Sequence, residues 1–170
     1  MSNVDGWSSS RYWGFIRSAL RKAWSKYPNK FKALKMAERP SKRGGRTKYE
    51  YICATCSNWF LQKEVSVDHI VDCGKLSGFE DLAEFVSNLY CKVDGLQVLC
   101  SDCHDIKTYA TRYDMTLEQA ENMKKVINKL KQKVDIQKKE LTKLGYPSSM
   151  ITNADNRRKC YLEHITGERV

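Results

Sequence analysis

Two Cys-x-x-Cys pairs, Cys53-Ala54-Thr55-Cys56 and Cys100-Ser101-Asp102-Cys103, carry the clearest chemistry in this 170-residue chain. They are separated by 43 residues. A Cys-x-x-Cys turn presents two sulfurs to one ion, and zinc prefers four thiolates in a tetrahedron, so the two turns together predict one closed Zn2+ site. A closed site leaves no position for substrate, and this zinc is expected to fold the domain and perform no chemistry. Cys73, Cys91 and Cys160 lie outside the pairs and read as small structural hydrophobes. The odd number of cysteines and an expected reducing compartment argue against a disulfide framework.

The chain holds three histidines. Asp68-His69 follows the apolar positions Val65 and Val67, and His104 comes directly after the second cysteine pair. A shared zinc would draw these two stretches side by side. Asp68 and His104 then form an open site for a divalent cation, while His69 is left to take a proton from water. His164 has no comparable neighbours and is assigned no role. Asp102 and Asp105 read as helix-capping or dipole residues rather than ligands.

Several elements must position these groups. Tyr12, Phe15, Ile16, Ala19, Leu20 and Ala23 fall at helical spacing behind Ser8, Ser9 and Ser10, which predicts a helix over about 9–26 with a basic outer face. Pro28 opens a second short helix that ends before Pro40, and the Arg-, Lys- and Gly-rich stretch 39–48 reads as a mobile loop or linker. From Lys48 to about Val71 the residues favour strands, arranged as a hairpin around the first cysteine knuckle. A helix is expected over 78–90, a short apolar strand at Leu96, Val98 and Leu99, and another helix from about Ser101 with His104 on its first turn. Apolar spacing from Leu117 to Leu144 predicts one long amphipathic helix from about Thr116, stopped by Gly145 and Pro147.

Net charge is +10, and it is concentrated. Residues 1–48 hold thirteen Lys or Arg against two acids, whereas the remaining 122 residues hold 17 basic and 18 acidic side chains. Such a field suits a polyanion, nucleic acid most commonly, although an anionic membrane surface attracts it too. Tyr12, Trp13 and Trp24 interleave with the basic residues, although such rings are more often core than stacking platforms. No apolar run approaches the roughly 20 residues that span a bilayer, and the N-terminus lacks a signal-peptide pattern, so a cytoplasmic location without membrane partners is expected.

Taken jointly, Cys53-Ala-Thr-Cys56, Val67-Asp68-His69-Ile70 and the run from Leu96 to Thr108 resemble the HNH endonuclease family, in its branch with paired zinc knuckles. The resemblance covers about residues 49–112. The basic helical extension also makes the layout similar to small HNH proteins of tailed bacteriophages. The resemblance implies an α+β fold with a ββα-metal (His-Me finger) core at 49–112, a basic helical extension at 1–48 and a helical region at 113–170. It implies DNA cleavage with His69 as general base, Asp68 and His104 on catalytic Mg2+ or Mn2+ (nickel also admitted), and 5′-phosphate and 3′-hydroxyl ends. The family's middle Asn position holds Gly95 here, with Asp94 beside it to supply the contact that pins the general base. DNA contacts are expected from Arg17, Arg21, Lys22, Lys42, Arg43, Arg46 and Lys107. A second copy of the chain or phage packaging proteins are the other partners to expect. A catalytically inactive zinc-bearing DNA-binding module, or an adaptor of a packaging complex, is the competing reading.

Overall fold

The computed structural model describes residues 5–168. Among them are seven α-helices and five short strands, a mixed α/β fold with two small sheets. The chain divides into two compact units, one ending at His104 and the other beginning at Asp105. No helix of the described residues is long and apolar enough to cross a membrane.

The first unit opens with α1 (Ser9–Trp24), where the Ser8 hydroxyl caps the helix by accepting from the Arg11 amide at 3.3 Å. Trp13 is buried and packs with Cys73, Leu76, Phe85 and Leu89, so the inward stripe of α1 forms one core with α3 (Leu82–Leu89). Pro28 begins α2 (Pro28–Met36), its fixed φ suiting the first helical position. Tyr27 Oη donates to the Tyr90 carbonyl at 2.9 Å, and Tyr90 Oη donates to the Leu20 carbonyl at 2.8 Å. The N-terminal helices are therefore hydrogen-bonded onto the segment that follows α3.

Of the tract 39–48, Arg39 and Pro40 belong to a strand, and 41–48 form an irregular connection, as expected. Glu38–Pro40 form β1, which pairs antiparallel with β2 (Tyr49–Ile52), and β2 pairs in turn with β3 (Trp59–Phe60). The cause is Glu50, only 1% exposed. Its carboxylate accepts from Arg39 Nη2 at 3.0 Å and pairs with Arg43 Nε at 2.6 Å. Arg39 also lies over the Trp59 ring at 3.7 Å. One buried acid thus folds a tract that composition alone marks as solvated.

The second sheet is the antiparallel pair β4 (Val65–His69) and β5 (Leu96–Cys100), followed at once by α4 (Ser101–Tyr113). Alternation turns Val67, Leu96 and Val98 into a core with Ala33 and Tyr51. In register, Asp68 faces Gln97 and His69 faces Leu96. The helix expected over 78–90 is shorter, because the Asp81 carboxylate accepts from the Ser77 and Gly78 amides at 2.7 and 3.1 Å and folds that stretch into a turn.

In the second unit the single long helix expected from Thr116 is two. α5 (Leu117–Leu130) ends in a turn, α6 (Val134–Lys143) follows, and α7 (Ala154–Thr166) completes the unit. Val126, Leu141, Ile151, Cys160 and Tyr161 form its core. The break is stabilised by buried Gln137, whose amide donates to the Leu130 and Gln132 carbonyls at 3.0 and 2.7 Å and accepts from Arg157 Nε at 2.8 Å. Those bonds satisfy carbonyls left open at the end of α5. Thr116 caps α5 with a reciprocal box to Gln119.

Candidate metal centre and active site

The first knuckle follows β2 directly. Ser57, with φ of 58°, closes it through its amide to the Cys53 carbonyl at 2.9 Å, and the Cys53 amide donates to the Asn58 carbonyl at 3.0 Å. The second knuckle leaves β5 for the first turn of α4. They meet because the Ala54 amide donates to the Val98 carbonyl at 2.8 Å and the Cys100 amide to Cys53 Sγ at 3.3 Å. The sulfurs of Cys53, Cys56, Cys100 and Cys103 all lie within 4.8 Å of one another.

Those four soft donors could hold a zinc or other metal ion, since Zn–S bonds of about 2.3 Å put the corners of a tetrahedron roughly 3.8 Å apart. Burial pushes the Cys53 thiol up, but the amides of Cys56, Cys100 and Thr55 outweigh it and bring it down to about 7. Cys100 and Cys103 are raised, first by burial. One sulfur is thus prepared as a thiolate by the backbone itself. Cys73 and Cys160 are buried hydrophobes and Cys91 is half-buried, all outside the cluster.

Asp68 and His104 also come together. Asp68 Oδ1 lies 3.9 Å from His104 Nε2, and Gln97 Nε2 donates weakly to Asp68 Oδ2 at 3.4 Å. The 3.9 Å gap is too long for a hydrogen bond. It is short enough for one cation to touch both groups, because two bonds of about 2.1 Å reach up to about 4.2 Å.

His69 is held from two sides. Its Nε2 is 2.9 Å from the Leu89 carbonyl oxygen, and its ring centroid is 4.9 Å from that of Trp24 at 38°. A carbonyl only accepts, so in the neutral ring Nε2 carries the hydrogen and Nδ1 the lone pair. Trp24 Nε1 is buried with no hydrogen-bond partner. Lys30 Nζ lies 4.9 Å from the Trp24 ring. Trp13 is core, so its ring is not a surface stacking platform, and Trp24 is half-buried against two core clusters of the first unit.

Gly95, at the position expected for the family's Asn, closes the end of the ribbon with its backbone: the Ile70 amide donates to the Gly95 carbonyl at 2.9 Å. Asp94 is exposed on the 3-10 turn Val93–Gly95. A β-carbon at Gly95 would stand 2.9 Å from Cys91 Sγ, so the Cys91 side chain leaves no room for one there.

Of the basic residues singled out in the sequence, Arg17, Arg21 and Lys22 are exposed on α1, and Lys42 and Arg46 are exposed between β1 and β2. Arg43 is tied down: besides Glu50, its Nη2 donates to the Trp59 carbonyl at 2.7 Å. Lys107 is half-buried on α4. Sequence reasoning missed the Leu89 carbonyl and the contact of Trp24 with the His69 ring. A backbone carbonyl has no residue signature, and only Gln97, one strand across from Asp68, was already adjacent to a recognisable motif.

No family model matches the sequence, and neither a curated protein nor a solved structure matches the chain.

Proposed function

We propose that the chain is a metal-dependent endonuclease that hydrolyses DNA phosphodiester bonds, built on the ββα-metal plan of the HNH family. The observation that carries this reading is the approach of Asp68 to His104, at 3.9 Å, between the end of β4 and the first turn of α4. One acid and one imidazole leave most positions of a cation open for water and phosphate, as hydrolytic chemistry needs. The chemistry supplied by such an ion, Mg2+, Mn2+ or Ni2+, is charge stabilisation at the phosphate and at the departing 3′ oxygen.

His69 is the proton acceptor. With Nε2–H committed to Leu89, Nδ1 takes a proton from water, the water oxygen bonds to phosphorus, and the bond to the 3′ oxygen breaks; that oxygen takes a proton from a second water, leaving 5′-phosphate and 3′-hydroxyl ends. Adjacent strand residues leave the backbone on opposite sides. His69 is the last residue of β4 and follows Asp68 directly in sequence. The four-cysteine cluster serves as the structural zinc site that fastens β2 to β5 and takes no part in the chemistry. Arg17, Arg21, Lys22, Lys42, Arg46 and Lys107 supply cations for the DNA backbone; Arg43 is given to the sheet instead.

The test is supercoiled plasmid incubated with the full chain and Mg2+ or Mn2+, beside a His69→Ala control. Cutting by wild type alone supports the proposal. Wild type that binds DNA without cutting it in either metal identifies a zinc-bearing DNA-binding module, and wild type that does neither leaves an adaptor of a packaging complex.

A further inference from the structure

We infer that the cleft between the β1–β2 connection and the 3-10 turn at Gln62–Glu64 is a binding site for a single strand of nucleic acid, with phosphates on Arg46, Lys48 and Lys63 and a base against Tyr49. The cleft has a volume of about 350 Å³, the size of a nucleotide rather than of a long peptide, and is lined by these four residues with Tyr51 and Leu61 among its apolar wall. No carboxylate lines it. The acids nearest in the chain are engaged elsewhere. Glu50 is bound by Arg39 and Arg43, Glu38 pairs with Lys35 and accepts from Tyr51 Oη at 3.2 Å, and Glu64 accepts from the Leu61 amide at 2.8 Å.

Three cations are therefore left uncompensated around one concavity, which selects for a polyanion. The aromatic component decides between polyanions. Tyr49 is 45% exposed at the rim of the basic cleft, and Lys35 Nζ lies 5.1 Å from its ring centroid, a further cation beside the ring. Rings beside a cationic track are what unpaired bases stack on, whereas a lipid headgroup offers no flat surface to them. One wall of the site, Tyr49 and Tyr51, belongs to β2 of the sheet that Glu50 organises. It lies apart from Asp68, His69 and His104, none of which lines it. The inference rests on the reading that the substrate is DNA and adds the strand form: one unpaired strand leaving or entering the cut site.

The experiment is fluorescence anisotropy of the full-length His69→Ala chain with a labelled oligodeoxythymidine of about 20 nucleotides, with vesicles of phosphatidylserine and phosphatidylcholine as a second probe. In the same background, Lys48→Ala with Lys63→Ala is expected to weaken oligonucleotide binding at least about tenfold. It should also lower the slope of log K against log salt by about 1.4, at about 0.7 for each lost phosphate contact. Tyr49→Ala is expected to cost at least about fivefold with the slope retained, and Tyr49→Phe to keep the affinity. Zinc content and thermal midpoint report that each variant is folded. Binding that all three variants leave unchanged overturns the cleft while sparing the nuclease reading. Tighter binding to anionic vesicles than to the oligonucleotide, lost in the same variants, also overturns it. A chain that binds no nucleic acid at all overturns both.

Discussion

His69 Nε2 and the carbonyl oxygen of Leu89 lie 2.9 Å apart, joining the last residue of β4 to the last residue of α3. This bond fixes which ring nitrogen is basic. It also makes the orientation of the imidazole depend on α3, which is packed through Phe85 and Leu89 onto Trp13 of α1.

If His69 is the general base, His69→Ala lowers plasmid cleavage by about 10²–10⁴-fold while DNA affinity is retained. Nitrogen-15 spectra of the neutral side chain are expected to show the hydrogen on Nε2. A ring protonated on Nδ1 would be incompatible with the Leu89 bond.

Substituting Cys53→Ser or Cys100→Ser should abolish stoichiometric zinc, measured by atomic absorption. Apparent binding energies of structural zinc sites, about 10–16 kcal/mol at neutral pH, exceed the stability of most small domains. Loss of the ion is therefore expected to unfold the β2–β5 region in circular dichroism and hydrogen exchange, not merely to loosen it. A variant that keeps native dispersion without metal would show that packing alone suffices. Asp68→Ala and His104→Ala should retain this zinc and lose Mn2+-dependent cleavage.

Glu50 gives the chain an acid-sensitive sheet. Burial raises its carboxyl, but Arg39, the Lys42 amide and Arg43 outweigh burial and hold it below the usual carboxylate range. A depressed folded value means that the stabilisation is complete above the unfolded carboxylate pKa and is lost as pH falls through the folded one. Thermal midpoints of wild type should therefore drop below about pH 4.5. Glu50→Gln should start lower at neutral pH and drop less. Parallel curves for the two proteins would remove Glu50 from the account.

Placing an Asn at Gly95 is expected to harm this chain. The Cβ would meet Cys91 Sγ at 2.9 Å and Cys91 Cβ at 3.2 Å, and overpacking of this kind costs about 1–3 kcal/mol. Denaturant unfolding of Gly95→Ala isolates that cost. Combining it with Cys91→Ala should recover most of the loss, because the obstructing sulfur is then gone. An additive double variant would refute the steric explanation.

Much of this was legible in one dimension. The four-cysteine cluster follows from two identical spacings, because a Cys-x-x-Cys turn is local and its chemistry is written in residue types. The caps at Ser8 and Thr116 and the start at Pro28 are equally local. The adjacency of Asp68 and His104 was inferred from the shared sulfur site, and the two lie 3.9 Å apart.

The remainder was decided by partners far away along the chain. The connection 41–48 is anchored at β1 and β2 through one carboxylate at Glu50, and a helical pattern unbroken by glycine or proline from Thr116 is cut in two where Gln137, held by Arg157, satisfies the Leu130 and Gln132 carbonyls. Which nitrogen of His69 is basic depends on a main-chain oxygen 20 residues on, and a carbonyl is the same in every residue type. Sequence fixes what each side chain is able to do; only packing fixes which buried polar group it must satisfy, since that demand arises when water is excluded.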